Sequence, residues 1–213
     1  MKSTVNIILL LVALTAVSCK KENTFNDYKF AEKGNVINCE NQNTALINEA
    51  LFSFEDDIAS FYAKNGQKNM TTSYSQFLRN ATINRVKYAD VVSPHTVKVF
   101  EALKNEGSLW DANNPDSHLN YKSDLINCIA SNLKDKNLKT TFDALVTTNS
   151  MKPQLFVTPI ARNYRAAISD KYLATYIALD LYYAKLFDID LSNVKEKPIV
   201  EQKVDFNKRP ITK

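Results

Sequence analysis

The chain has 213 residues, 45% of them hydrophobic, and a formal net charge of +4 at pH 7. That length suits one domain with a sizeable core, and the mild, interspersed charge excludes the basic surface typical of nucleic-acid binding. Only three glycines occur, well below an average usage of about 7%. The composition therefore favours helices over a turn-rich β fold.

The N-terminus has the pattern of a signal peptide. Lys2 supplies a positive charge, the apolar run over 7–17 is too short to span a bilayer, and small residues at 16–18 precede Cys19. This pattern resembles the signal of bacterial lipoproteins, in which the preceding segment is removed and Cys19 becomes the lipidated N-terminus. Ala16 stands where that motif prefers leucine. The alternative is an ordinary secretory signal in which Cys19 is incidental.

The resemblance implies a cell-envelope protein attached to a membrane by acyl chains on Cys19. The composition is rich in Asn, Lys, Ile and Tyr. Together with the imperfect match of the signal motif, this composition resembles that of lipoproteins of Bacteroidota. Lys20 is not the aspartate that retains some lipoproteins in an inner membrane, so the outer membrane is favoured. Lys21 and Glu22 match half of the signal that some surface-exposed lipoproteins carry, which leaves the periplasmic and surface sides both open.

Two further cysteines, Cys39 and Cys128, remain after the anchor. In an oxidising compartment two such thiols invite a disulfide. Two separate buried thiols, each acting as a small hydrophobic side chain, are the alternative. The sequence does not reveal whether their Cα atoms come within about 7 Å, so both interpretations stay open.

Residues 1–18 are thus predicted to be a signal peptide and 19–42, which are polar and aperiodic, a tether. A helical domain is expected over 43–190. Its first helix is predicted over 44–64, because apolar residues recur there at four-three spacing. These residues are Ile47, Leu51, Phe54, Ile58 and Phe61. Glu55, Asp56 and Asp57 are then expected on the solvent side.

Further helices follow in chain order. One is predicted over 73–80, and Ser93 with Pro94 forms a start signal for the next, up to Gly107. Residues 108–120 have the composition of a loop. Two helices over about 121–133 and 136–147 are joined by so short a link that an antiparallel hairpin is expected.

Thr158 and Pro159 repeat the start signal and predict a helix over 159–167. A last helix from Ser169 to about 187 has so wide an apolar arc that it should be central. Residues 191–213 are polar and are predicted to form an extended or disordered tail. The fold class is therefore all-α, an irregular bundle of about six to eight helices.

Motifs for cofactor or metal chemistry do not occur in the sequence, so no cofactor and no metal is predicted. The two histidines, His95 and His118, lack the spacing of zinc ligands, and His95 is expected to be a solvated surface residue. His118 shares a loop with two aspartates and two asparagines that could bind a hard cation, although the spacing fits no calcium loop. These four residues are Asp111, Asn113, Asn114 and Asp116.

No nucleophile motif occurs either, and no catalytic residue is predicted. Asp180 is unusual because it lies between leucines in the apolar last helix. A buried carboxylate must find partners or shift its pKa, and we expect Asp180 to face solvent or to pair with Arg162 or Arg165.

Trp110 lies in the predicted loop after Gly107. Exposed tryptophans are enriched at binding sites, so Trp110 is a candidate contact for a protein partner. The alternative is that its ring closes over the core.

These observations favour a non-catalytic lipoprotein that binds a protein partner or takes part in an assembly at the outer membrane. The alternatives are a periplasmic immunity or inhibitor protein, and an enzyme with an unfamiliar site. Membrane attachment through the lipid and a protein partner of unknown identity are expected, and a nucleic-acid partner is not.

Overall fold

The computed structural model describes residues 25–195. This part of the chain contains nine α-helices and no β-strand. The helices are α1 (Thr44–Phe61), α2 (Met70–Thr82), α3 (Tyr88–Val91), α4 (Pro94–Leu103), α5 (Asp124–Ser131), α6 (Lys136–Thr147), α7 (Pro153–Arg162), α8 (Ala166–Ser169) and α9 (Lys171–Tyr176). This architecture confirms the predicted all-α bundle, and two of its helices, α3 and α8, are single turns.

The chain does not stop at the end of α9. It continues through a π-helical stretch, Ile177–Tyr182, and a 3₁₀ stretch, Tyr183–Asp188. We call residues 171–188 the final segment. The sequence predicts it as one regular helix, and the structure keeps its length but changes the winding after Tyr176.

The start signal at Ser93 acts as predicted, because its Oγ accepts a hydrogen bond from the N–H of Thr96 at 3.3 Å and Pro94 opens α4. The second predicted start signal, Thr158 with Pro159, does not begin a helix. Pro153 opens α7, and Pro159 lies inside that helix. The hydroxyl of Thr158 donates to the carbonyl of Gln154 at 3.1 Å, so it does not cap a new helix. The predicted helix over 159–167 is therefore wrong.

Helix α1 lies at the centre of the bundle. Helices α2 and α4 and the final segment all pack against it, and most of its residues are buried around its whole circumference. Because α1 carries polar and acidic residues among its apolar ones, a helix surrounded in this way buries side chains of both kinds. Five polar or acidic residues of α1 are buried, namely Asn48, Glu49, Ser53, Glu55 and Asp57, and the last two belong to the predicted solvent face.

The N-terminal segment, residues 25–42, packs along α1 and differs in this from the free tether that its polarity predicts. The backbone N–H groups of Val36 and Ile37 donate to Oδ1 of Asn48 at 2.8 and 3.1 Å. Nδ2 of Asn48 returns a bond to the carbonyl of Ile37 at 3.0 Å. Periodicity could not reveal this contact because backbone groups make it.

A disulfide joins Cys39, at the end of the N-terminal segment, to Cys128 on α5. The two Cα atoms lie 6.0 Å apart, within the range that such a bond requires. Of the two alternatives that the sequence leaves open, the structure contains the bonded one. The bridge attaches the N-terminal segment to the bundle at a second place besides α1.

Beyond the helices, Leu191 and Val194 pack against the core, so the predicted tail begins as part of the bundle. The signal peptide, Cys19 and residues 196–213 lie outside the described residues. Among residues 25–195, no helix is long and apolar enough to cross a membrane.

We predict that replacing both Cys39 and Cys128 with serine lowers the free energy of unfolding by about 4 kcal/mol, because the bridge spans 89 residues and a loop of that length restricts the unfolded chain strongly. Urea unfolding under non-reducing conditions measures the change. A reductant should destabilise the unmodified protein and leave the double variant unaffected. Alkylation of two thiols in the non-reduced protein would contradict the assignment.

Candidate functional site

Two aspartates in the core are held by hydroxyl groups. Asp57, on α1, is 3% exposed. Its Oδ2 accepts hydrogen bonds from Oγ1 of Thr96 and the phenol of Tyr182, both at 2.6 Å. The backbone N–H of Ser93 donates to the same oxygen at 3.1 Å. Asp57 thus joins α1 to the start of α4 and to the final segment.

Asp180, in the π-helical stretch, is fully buried. Its Oδ1 accepts from the phenol of Tyr121 at 2.9 Å and from the hydroxyl of Ser117. Its Oδ2 accepts from the phenol of Tyr176 at 2.7 Å. Neither Arg162 nor Arg165 reaches it, so the expected arginine pair or solvent exposure is wrong. Three hydroxyl groups supply the hydrogen bonds that an arginine would otherwise donate, because a buried carboxylate needs hydrogen-bond donors more than a formal countercharge.

Burial raises the pKa of both carboxyl groups, and the hydroxyl donors partly oppose the shift. Burial also raises the pKa of the phenols that bond them, Tyr121, Tyr176 and Tyr182, and the neighbouring carboxylates add to that effect. These tyrosines therefore stay protonated and remain donors at neutral pH.

A third carboxylate, that of Glu49, accepts hydrogen bonds from the backbone of the N-terminal segment. The backbone N–H groups of Lys29 and Phe30 donate to its two oxygens at 2.7 and 3.1 Å. Nε2 of His95 lies 2.6 Å from Oε1, and the His95 side chain is 11% exposed. The prediction that His95 is a solvated surface residue is therefore wrong. His95 lies in the first turn of α4, and there its side chain faces Glu49 on α1. The spacing of residues along the sequence could not reveal this contact between two helices.

The predicted acidic solvent face at 55–57 is wrong for two of its three members. Glu55 is buried against Lys171 Nζ at 2.6 Å and the phenol of Tyr74 at 2.9 Å. Only Asp56 lies near the surface. The error arises because α1 has neighbours on every side, so its polar face meets other helices instead of water.

The 108–122 loop joins α4 to α5 and rests on the final segment. The N–H of Asp111 donates to the carbonyl of His118 at 2.7 Å, closing a turn in which Asn114 Nδ2 bonds the carbonyl of Leu119 at 2.8 Å. Lys185 Nζ donates to the carbonyl of Asp116 at 2.5 Å. Together with the Ser117 bond to Asp180, this contact fixes the loop on the bundle.

A cavity of about 330 Å³ opens between the 108–122 loop and the connection from α6 to α7. Its wall combines asparagines, two aspartates, two lysines, a tyrosine and four apolar residues. Those from the loop are Asp111, Asn113, Asn114, Pro115, Asp116, Leu119, Asn120, Tyr121 and Lys122, and those from the α6–α7 side are Val146, Asn149, Met151 and Lys152. We call it the loop cavity.

The loop residues that could bind a cation are engaged separately. Asp111 Oδ1 accepts from the N–H of Asn113 at 2.8 Å, Asp116 pairs with Lys152 at 3.4 Å, and His118 Nε2 lies 3.2 Å from Asp188. Within residues 25–195, no group of three metal-binding side chains converges. The structure does not bring the proposed ligands to one point.

Trp110 lies half-buried at the edge of the loop. Its indole N–H donates to the carbonyl of Leu103 at 2.7 Å, and its ring meets Phe187 edge-on with centroids 5.0 Å apart. The His118 ring lies 5.0 Å from the same phenylalanine, whose exposed fraction is 37%. We call Trp110, His118 and Phe187 the aromatic cluster. Trp110 therefore covers part of the core and also belongs to a partly exposed surface.

Sequence reasoning identified Asp180, Trp110 and the loop, but it missed Ser117 and Tyr121, which connect them. A serine and a tyrosine in a polar loop carry no signal of their own. The only available signal was the buried aspartate itself, because it requires donors from somewhere in the chain.

Comparison with known proteins adds no relative: no family model matches the chain, and no curated protein or solved structure matches it either.

We predict that the unmodified protein gains stability over an Asp180→Asn variant as the pH falls from 7 toward 4. Burial raises the pKa of Asp180 above its ordinary 3.8, so the folded state holds the proton more tightly than the unfolded chain. The resulting stabilisation is present below the ordinary value and is lost as pH rises through the raised one. Urea unfolding of both proteins across this range measures the difference.

Asp57 is present in both proteins, so its titration cancels in that difference. An Asp180→Ala variant is the comparison for structure, since it leaves three hydroxyls without an acceptor and should lose about 3 kcal/mol or more. A difference between wild type and Asp180→Asn that stays constant with pH would contradict the assigned shift.

Proposed function

We propose that this protein is a non-catalytic lipoprotein of the outer membrane, attached through Cys19, whose helical domain binds a protein partner. The observation that carries the partner proposal is the aromatic cluster. Aromatic side chains that are partly exposed and rigidly held are the residues that most often dominate protein interfaces. Trp110 and Phe187 meet both conditions, because the indole bond and the edge-on contact restrict their rotamers.

Export from the cytosol is supported by two independent features. The signal pattern before Cys19 is one. The disulfide between Cys39 and Cys128 is the other, since such bonds persist in oxidising compartments and are rare in the cytosol.

A non-catalytic role is supported by the state of the acidic groups in the core. Asp57 and Asp180 each accept three hydrogen bonds, and both are shielded from solvent. A general acid or base must reach a substrate. These two carboxylates are better suited to holding helices together.

The proposed anchor would keep the domain close to the membrane. Six peptide steps separate Cys19 from Phe25, the first described residue, and an extended chain spans at most about 3.5 Å per residue. Because Phe25 already packs against the core, the bundle would lie within about 20 Å of the lipid surface. A partner would then be a protein held at the same membrane.

We predict that Cys19→Ala releases the protein from the membrane fraction, because the variant lacks the residue to which acyl chains are attached and a multiply acylated residue binds a bilayer firmly. Fractionation followed by a high-salt wash measures this. A Cys39→Ser, Cys128→Ser variant, which keeps Cys19, should remain in the membrane fraction. Retention of Cys19→Ala after the wash would place the attachment elsewhere.

We predict that a photo-crosslinking amino acid at Phe187 yields one discrete adduct with an envelope protein in intact cells. The same amino acid at Leu155, which is 53% exposed on α7, is the matched control and should yield none. The Phe187 adduct should weaken in a Cys19→Ala background, because the partner is then no longer at the same membrane. Equal labelling from both positions, or none from Phe187, would contradict the proposal.

A further inference from the structure

We propose that the loop cavity binds a small, neutral, polyhydroxylated molecule, of the size of one or two sugar residues. This site is separate from the aromatic cluster, and the inference does not depend on the protein partner proposed above. Its volume of about 330 Å³ lies at the lower end of the range for ligand sites. A ligand of sugar size suits that space.

The charges on the cavity wall cancel. The negative charges of Asp111 and Asp116 are balanced by the positive charges of Lys122 and Lys152. Asp116 and Lys152 already form an ion pair at 3.4 Å. A net-charged ligand would gain from one pair of residues and be repelled by the other. The wall therefore favours a ligand without net charge.

The polar groups of the wall suit hydroxyls in particular. Four asparagines line the cavity, and a carboxamide, like a hydroxyl, can both donate and accept. Asn114 and Asn120 use their amide nitrogens for loop carbonyls, at 2.8 and 2.9 Å. The side-chain oxygen of Asn120 already accepts from the backbone N–H of Lys122 at 3.1 Å, so the oxygen of Asn114 is the better suited of the two to accept from a ligand. The exposed Asn113 and Asn149 offer further carboxamides.

Tyr121 lines the cavity with its phenol already fixed. Its O–H donates to Asp180 at 2.9 Å, and the side chains of Ser117 and Asn114 also bond the phenol, so Tyr121 orders the wall instead of offering a free polar group to a ligand. Apolar side chains from both sides complete the wall, among them Leu119, Val146 and Met151. Such a mixture of a few placed polar groups and an apolar surface matches the two faces of a sugar ring, one bearing hydroxyls and the other C–H groups.

The wall is also held in place before any ligand arrives. Ser117 and Tyr121 bond Asp180 beneath the loop, and Lys185 holds the carbonyl of Asp116. A site that is already ordered loses less conformational entropy on binding. The buried carboxylate of Asp180 thus positions the cavity wall without lining it.

Trp110 provides the readout, because it is the only tryptophan in the 213-residue chain and its neighbour Asp111 lines the cavity. The test uses the full-length lipoprotein in a polyoxyethylene detergent, which has no sugar headgroup to compete. Glucose, galactose, mannose and N-acetylglucosamine are titrated separately while tryptophan fluorescence is recorded, with calorimetry as a second measurement. Glucosamine and glucose 6-phosphate are the cationic and anionic comparison compounds.

We expect saturable binding of at least one neutral sugar with a Kd on the order of 1 mM, as befits so small a ligand, and weaker binding of both charged compounds. Asn113→Ala should weaken binding about fivefold by removing one hydrogen-bonding group. Its side chain is exposed and its backbone N–H bond to Asp111 survives the change, so the variant should fold. Asn137→Ala, an exposed asparagine on α6 outside the cavity, should bind as wild type does.

Three results would overturn the proposal. One is the absence of saturable binding of any neutral sugar at concentrations up to about 100 mM. The second is tighter binding of glucosamine or glucose 6-phosphate than of every neutral sugar. The third is an Asn113→Ala variant that binds as tightly as the Asn137→Ala control, because the sugar would then occupy another place. None of these results bears on the crosslink from Phe187.

Discussion

The need of buried carboxylates for hydrogen-bond donors governs this structure more than any other single constraint. Asp57 and Asp180 lie inside the bundle, and each is satisfied by donors from elements remote in sequence. An ionised carboxylate without such donors would be too costly to bury. Consequently α1, α4, the final segment and the 108–122 loop can be packed only in an arrangement that brings their hydroxyls to these two positions.

The final segment transmits that constraint to the surface. Asp180 and Lys185 hold the 108–122 loop, while Phe187 supports Trp110. The π-helical stretch around Asp180 changes the direction of the residues that follow it relative to a regular helix. The loop cavity and the aromatic cluster are thus two surface features that rest on one buried element, which explains how a polar loop can be held in a defined shape.

The N-terminal segment is integrated by the same kind of contact. Glu49 and Asn48 accept backbone N–H groups from it, and the disulfide to Cys128 secures its end. If Cys19 carries lipid, as we propose, this integration means that the bundle is held close to the bilayer. The position of the bundle at the membrane would then be determined by packing on α1 instead of by a flexible linker.

The sequence by itself determined five of the helices, namely α1, α2, α4, α5 and α6, and their apolar faces. Four-three spacing predicted α1, and Ser93 with Pro94 predicted the start of α4, because both signals depend only on local geometry. The sequence also indicated that Asp180 was unusual. Tertiary structure alone decided that Glu49, Glu55 and Asp57 of α1 are buried. It also decided that His95 faces Glu49, and that the hydroxyls of Ser117 and Tyr121 donate to Asp180. The physical reason is that the spacing of apolar residues shows only which side of a helix is apolar. Whether its polar side can be buried depends on hydrogen-bond donors that come from distant parts of the chain.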